Sequence, residues 1–177
     1  METKPEMTPS ALVELLHSLD AADILVWLDG GWGVDALLER QTRPHKDVDI
    51  ILRVADVRRL QEILARKGFA IREGIPPNSF VLADGSGLEV DVHAVVFDDD
   101  GNAVYRMEDG RDWIFAAEAF SGWGVVEGMR VRCLSPRTQV LCHAQGYVPT
   151  EKDVHDMELL QDRFAVELPT QLRRSRT

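Results

Sequence analysis

Two adjacent glycines, a short helical pattern and an Asp-Val-Asp triplet constrain this chain more than any other feature. They occupy residues 30–50, GGWGVDALLERQTRPHKDVDI. A short apolar run, ILVWL, precedes the glycines, and a second one begins inside the triplet. The pattern therefore predicts a buried strand, a glycine turn, a helix of about two turns and a second strand.

The two carboxylates of the triplet are predicted to lie on one face of the second strand. Side chains two residues apart in a strand share a face, so Asp47 and Asp49 come within roughly 7 Å of each other. Like charges this close are costly unless both are solvated or share a cation. Two interpretations stay open: a solvated strand edge, or a divalent-metal site facing a ligand docked against Gly30 and Gly31.

A later strand offers a third carboxylate. The segment LEVDVHAVVF at 88–97 alternates apolar residues with acids and a histidine, and places Asp91 and His93 on its polar face. Three acids on neighbouring strands are typical of two-metal phosphoryl- and nucleotidyl-transfer sites. Glycines that open a helix also leave backbone N–H groups free for phosphate. The glycines and the acids together favour a metal-assisted phosphate site over either feature alone.

The rest of the chain predicts an α+β domain with a mixed sheet and a C-terminal helical pair. Helices are expected at 9–20, 55–68, 135–147 and 149–164, capped by Thr8 or Ser10, and by Ser135 and Thr150. Hairpins are expected at 79–97 and 125–134, whereas 103–123 shows no clear pattern. We expect an α/β core at 1–134 and a helical segment at 135–177 packed on it as one compact domain, with a frayed basic tail.

Charge and composition restrict the partners. The net charge is −10 and the isoelectric point is near 4.9, which argues against nucleic acid and suits a cationic small molecule. The N-terminus shows no signal core, and no apolar run approaches the roughly 18 residues of a membrane span. The two cysteines fit no metal-ligand spacing. A cytoplasmic protein with reduced, buried thiols is predicted.

The run WLDGGWGVDALLERQTRPHKDVDI at 27–50 resembles the Gly-Gly…Asp-x-Asp signature of the DNA polymerase β-like nucleotidyltransferase superfamily. More narrowly, it resembles the small antibiotic nucleotidyltransferases, above all the lincosamide group and then the 2''-aminoglycoside enzymes. The segments LEVDVHAV and CHAQGYVPTEKDVHDMELL extend the resemblance over most of 15–160.

This resemblance implies roles for individual residues. Asp47 and Asp49 would bind Mg²⁺ ions together with ATP or another nucleoside triphosphate. Asp91 would be the third metal ligand or the general base. Gly30 and Gly31 would face the phosphates, although Trp32 stands where the wider superfamily carries a serine or threonine hydroxyl.

Several charged residues are further candidates. Arg43 would steady phosphates, and His45 would orient an aspartate or cap the loop. Lys152 would reach the triphosphate, held by Asp156 four residues later; the alternative is an ordinary surface ion pair. The weaker candidates for substrate contact are Asp35, His93 and His155, whereas His143, Trp32, Trp113 and Trp123 are interpreted as core or rim residues.

The resemblance implies transfer of AMP from ATP to a hydroxyl of a small cationic antibiotic, with release of pyrophosphate. A lincosamide is the first acceptor considered and an aminoglycoside or another hydroxylated metabolite the second. An antitoxin-like protein that modifies or binds a partner protein is the alternative from another class. The resemblance leaves a homodimer open.

Overall fold

The computed structural model describes residues 6–145 and 147–173. Within these ranges the chain forms helices and strands in the predicted order. The helices are α1 (Pro9–Asp20), α2 (Gly30–Leu38), α3 (Val57–Arg66), α4 (Pro136–Ala144) and α5 (Glu151–Phe164). The strands are β1 (Val26–Asp29), β2 (Asp47–Arg53), β3 (Ala70–Ile75), β4 (Ser79–Ala83), β5 (Glu89–Phe97), β6 (Ala103–Arg106), β7 (Asp112–Phe115), β8 (Gly122–Val126) and β9 (Met129–Cys133).

All of these strands join one mixed sheet, which confirms the predicted α+β class. Its order is β3-β4-β5-β2-β1-β9-β8, with β6 paired to β5 and β7 to β6. Strands β2 and β5 run parallel, whereas β1 and β2 run antiparallel. Strands β1, β2 and β5 therefore lie side by side near the centre of the sheet and bring together residues that are distant in the sequence.

The amphipathic helices bury the faces that their periodicity predicts. In α1 the buried residues are Leu12, Leu15, Leu16 and Leu19. The N-cap of α1 is Thr8, whose hydroxyl accepts a hydrogen bond from the Ala11 amide at 3.2 Å, so the alternative cap Ser10 is wrong. No helix among the described residues has the length and hydropathy needed to cross a bilayer.

The C-terminal helices lie against α2, the helix that begins at the glycine pair. Ser135 and Thr150 cap α4 and α5 as predicted, and Thr150 forms a reciprocal capping box with Asp153. The proposed boundary at residue 134 stays a prediction, and residues 174–177 of the predicted tail lie outside the described ranges.

The segment without a clear sequence pattern forms the β6–β7 hairpin and a short 3-10 turn at 117–120. Its aromatic residues explain why it folds there. Phe115 and Phe120 join Trp27 in an apolar cluster, with the Trp27 and Phe120 ring centroids 5.1 Å apart. This cluster anchors the hairpin beside β5, where it becomes one wall of a cleft.

Candidate functional site

Strand register places three aspartates in one row across the sheet. Asp29 of β1 pairs with Asp49 of β2, and Asp49 pairs with Asp91 of β5. Asp47 lies two residues before Asp49, and all four carboxylates line a single cleft of about 520 Å³. The sequence-predicted acids are therefore brought together, and Asp29 is an additional member that periodicity alone did not single out.

The row carries negative charge that its surroundings only partly balance. Burial, and then the charge of Asp49, raises the pKa of both Asp29 and Asp47. Burial also raises the pKa of Asp91 to about 6, even though the nearby His93 opposes the shift. Burial and mutual repulsion both disfavour ionisation, so a bound cation would stabilise the ionised forms.

His93 is the internal counter-charge of this row. Its Nε2 lies 3.7 Å from Asp91 Oδ1 and 3.9 Å from Asp49 Oδ1. Burial opposes the charged imidazolium, but the nearby carboxylates of Asp49 and Asp91 raise the pKa of His93 to about 10. Ligand atoms of Asp49, Asp91 and His93 all lie within 4.8 Å of one another. The carboxylate oxygens of Asp49 and Asp91, with Asp47 beside them, fit a hard cation such as Mg²⁺. The charged imidazolium of His93 carries hydrogens on both ring nitrogens, so it is their counter-charge and not a metal ligand.

The glycine pair is required by close packing against charged side chains. Gly30 has φ +58°, and a Cβ there would lie 2.2 Å from Asp49 Oδ2. A Cβ on Gly31 would lie 2.4 Å from His45 Nδ1 and 2.7 Å from Arg43 Nη2. The glycines thus make room for a carboxylate of the acid row and for a guanidinium, in addition to the predicted approach to phosphate.

We expect Gly30→Ala to lower transfer activity about a hundredfold, because the new Cβ displaces the Asp49 carboxylate by about 1 Å. The positive φ at this position lowers the free energy of unfolding by about 1 kcal/mol. The matched control is Gly68→Ala, where φ is +88° and nothing lies within 4 Å of the new Cβ. Equal activity in the two variants, measured alongside chemical denaturation, would contradict the role given to Asp49.

A buried polar chain of hydrogen bonds connects α2 to α5. Asp35 is 2% exposed and accepts from Thr42 at 2.6 Å and from His45 Nε2 at 2.5 Å. It is not among the residues that line the cleft, and its contact with substrate stays a prediction. The prediction that His45 orients an aspartate is confirmed. Asp156 binds the Arg43 guanidinium through Nε and Nη2, so the predicted pair with Lys152 is wrong.

Two residues of α5 lie away from the cleft. Lys152 is exposed and His155 is half-buried, and neither is among the residues that line the cleft. The predicted contact of Lys152 with triphosphate and of His155 with substrate stay predictions. Asp153, between them in sequence, does line the cleft.

A sequence model of the aminoglycoside-2''-adenylyltransferase family matches residues 11–160. The chain belongs to this family. It is therefore a nucleotidyltransferase, which confirms the resemblance seen in the sequence.

The chain is similar to proteins of two kinds, a lincosamide resistance protein and 2''-aminoglycoside nucleotidyltransferases. A lincosamide resistance protein of Staphylococcus haemolyticus is 29% identical over 155 residues, which cover 88% of this chain and 95% of that protein. A 2''-aminoglycoside nucleotidyltransferase of Escherichia coli is 28% identical over 122 residues, which cover 69% of this chain and 64% of that protein.

Solved structures confirm the nucleotidyltransferase fold of this family member. A lincosamide antibiotic adenylyltransferase, solved with lincomycin bound, has a TM-score of 0.79 at 28% identity and covers 88% of this chain and 98% of its own. The aminoglycoside enzyme ANT(2'')-Ia, in complex with adenylyl-2''-tobramycin, has a TM-score of 0.66 at 22% identity. The two alignments each span 88% of this chain.

Two walls of the cleft are formed by residues that the sequence did not single out for the site. The β6–β7 hairpin contributes an aromatic and thioether wall, and the segment around α4 and α5 contributes a polar wall. The hairpin residues are Tyr105, Met107, Trp113 and Phe115, and the polar wall residues are Cys142, His143, Gln145, Tyr147 and Asp153. The CHAQGY motif was the available indication of the second wall, whereas nothing periodic marked the first.

Two residues of uncertain role in the sequence become clear in the structure. His143 is buried, and its Nδ1 donates to the Gln139 carbonyl at 2.8 Å, while its ring also reaches the cleft. Trp32 is 2% exposed and packs on His45 with the ring centroids 4.8 Å apart, which confirms a core role.

Cys133 is a buried free thiol as predicted, whereas the free thiol of Cys142 is half-buried on the cleft wall.

Proposed function

We propose that this nucleotidyltransferase moves AMP from ATP, with Mg²⁺, to a hydroxyl group of a lincosamide. The observation that carries the proposal is that Asp47 and Asp49 of β2 and Asp91 of the adjacent strand β5 together line a cleft of about 520 Å³. Cavities of this size accommodate a drug-sized ligand.

The carboxylates take separate parts in the proposed reaction. Asp47 and Asp49 hold the divalent ions, which when bound neutralise the triphosphate and stabilise charge on the attacking and leaving oxygens. Asp91 is either the third ligand or the base; as the base, it accepts the proton of the acceptor hydroxyl. The hydroxyl oxygen bonds to the α-phosphorus, the bond from that phosphorus to the bridging oxygen breaks, and pyrophosphate leaves with the electron pair.

The nucleotide side of the proposed site is formed by Gly30, Gly31 and Arg43, which lie together on the cleft wall. Guanidinium groups suit phosphate oxygens because they present several N–H donors in a fixed plane. Lys152 would have to reach the triphosphate from outside the cleft as described, so its part in this site is the weaker proposal.

The acceptor is proposed from charge, shape and the relatives. Five aspartates line the cleft, at 29, 47, 49, 91 and 153, and favour an acceptor that carries an ammonium group. The aromatic hairpin wall supplies apolar contact area for a ring or alkyl chain. The alignment with the lincosamide resistance protein extends over 95% of that protein, against 64% for the aminoglycoside enzyme, and this supports the lincosamide.

An aminoglycoside is the second candidate, because the matching family model carries that description. Modification of a partner protein is the remaining alternative from the sequence. Release of pyrophosphate should be measured with ATP, Mg²⁺ and a panel of lincosamides and aminoglycosides. We expect release with lincosamides at least about tenfold above the aminoglycosides in kcat/KM, which corresponds to about 1.4 kcal/mol of differential transition-state binding.

Omission of Mg²⁺ is the control, because release without a divalent ion would be unrelated to the acid row. Release with aminoglycosides alone would show that the acceptor is an aminoglycoside and not a lincosamide. No release with any member of the panel would contradict the antibiotic proposal. We place this ATP-dependent reaction in the cytoplasm. A homodimer stays a prediction that sedimentation of the purified chain would test.

A further inference from the structure

We infer that Asp156 and His45 are positioning residues for nucleotide, and that they act by fixing the Arg43 guanidinium at the cleft wall. The inference rests on the proposed nucleotide site and extends it to the C-terminal helix. Helix α5 then contributes to nucleotide binding through Asp156, although Asp156 itself does not contact the nucleotide.

The donors and acceptors fix the direction of the hydrogen bonds that link Asp35, His45 and Arg43. Asp35 is a carboxylate acceptor, so the hydrogen between it and His45 belongs to His45 Nε2. His45 Nδ1 then accepts from Arg43 Nη1 at 3.2 Å. A second hydrogen on Nδ1 would instead point at a permanent cation, so the neutral tautomer is the one that satisfies both contacts.

The opposite edge of the guanidinium is held by α5. Asp156 is 1% exposed and receives Nη2 of Arg43 at 2.7 Å and Nε at 3.2 Å. Two anchors on different edges leave the planar group little freedom to rotate. A flexible arginine loses side-chain entropy when it becomes fixed, and here that loss occurs on folding, before any nucleotide binds.

The position of the fixed group matches a phosphate contact. Nη1 also points at the Pro44 carbonyl at a long 3.5 Å, whereas the second hydrogen of Nη2 has no partner among the described residues. Nη2 lies where a Cβ of Gly31 would come within 2.7 Å, and both residues line the cleft. The absence of that Cβ keeps this edge of the guanidinium beside the start of α2.

Charge alone would give the opposite expectation. The carboxylate of Asp156 neutralises Arg43, so a simple charge count predicts that removing it would strengthen the binding of a triphosphate. Positioning predicts weaker binding, because a free guanidinium must be ordered and aimed by the ligand. The two explanations therefore differ in the sign of the effect.

The test measures the dissociation constant of a non-hydrolysable ATP analogue with Mg²⁺ by calorimetry, without any acceptor. We expect Asp156→Asn to weaken binding about tenfold, the size of one lost charge-assisted hydrogen bond. The matched control is Asp162→Asn, the same change at an exposed position of α5, which we expect to bind like the wild type. The acceptor KM should be the same in all three proteins.

A double-mutant cycle separates positioning from a structural role. If Asp156 acts through Arg43, then Asp156→Asn in an Arg43→Met background produces no further weakening. The same tenfold weakening in both backgrounds, or unchanged or tighter binding in Asp156→Asn alone, would overturn the inference. Failure of the wild type to bind the analogue would instead remove the proposed function on which the inference depends.

His45→Gln tests the chain from its other side without leaving an unpaired charge in the core. It serves as the second variant if Asp156→Asn does not fold. We expect about threefold weaker binding of the analogue, because only the neutral contact to Nη1 is disturbed. No change relative to Asp162→Asn, or a change that persists with Arg43→Met, would overturn the positioning role.

Discussion

Asp49→Asn is expected to lower AMP transfer by at least about a thousandfold, because several kcal/mol of metal-dependent charge stabilisation are lost and each 1.36 kcal/mol is a factor of ten. Asp49 is the central member of the acid row, paired with Asp29 on one side and Asp91 on the other. An asparagine keeps the side-chain size but replaces an anionic metal ligand by a neutral amide.

The fold should survive this substitution. Asp49 raises the pKa of Asp29 and of Asp47, so removing its charge relieves repulsion within the row. We expect the free energy of unfolding to stay within about 1 kcal/mol of the wild type. Circular dichroism and urea denaturation check the fold, and pyrophosphate release checks the activity.

A control at the surface completes this comparison. Asp99→Asn makes the same chemical change in an exposed turn and should leave both transfer and stability unchanged. Full activity in Asp49→Asn would show that the acid row does not bind the catalytic metal. An unfolded variant would show that Asp49 has a structural role in addition.

Asp91→Asn is expected to lower kcat by about a hundredfold to ten-thousandfold, the range that a general base contributes. The dissociation constant of the Mg²⁺–ATP complex should change by about threefold at most, because Asp47 and Asp49 remain to hold the ions. Single-turnover kinetics separate the chemical step from nucleotide binding. Loss of ATP binding with an unchanged chemical step would make Asp91 a metal ligand only.

The pH dependence provides a second check on Asp91. Burial raises the pKa of this carboxyl to about 6, so the carboxylate predominates above that pH and the protonated acid below it. A protonated acid cannot accept the hydroxyl proton, so wild-type kcat should fall as the pH falls through about 6. A bound metal ion favours the carboxylate and would move this fall to a lower pH. Asp91→Asn should lack this acidic limb, whereas its presence in the variant would assign the limb to another group.

Local patterns predicted the elements that end at the site. The glycine pair, the Asp-Val-Asp triplet and the alternation at 88–97 were sufficient to predict two strands, a helix and three carboxylates on polar faces. These patterns are reliable because strand and helix periodicities dictate which side chains share a face. They also agreed with the family resemblance, which fold comparison and family membership confirm.

Predictions that paired side chains by sequence spacing were less successful. Lys152 and Asp156 are four residues apart on one helix, which is compatible with an ion pair. In the structure Asp156 points into the core and meets Arg43, a residue far away in sequence. Burial decides between them, because a buried carboxylate requires a partner that can enter the core with it.

By itself, the sequence determined the order of elements, and it singled out Asp47, Asp49, Asp91 and the glycine pair as candidate site residues. Only the tertiary structure decided that Asp29 joins the row, that an aromatic hairpin and the segment around α5 form the walls, and that Asp35 and Asp156 are buried supports. Strand register and helix packing set these contacts between distant segments, and a periodic pattern in one segment contains no information about which other segment it will meet.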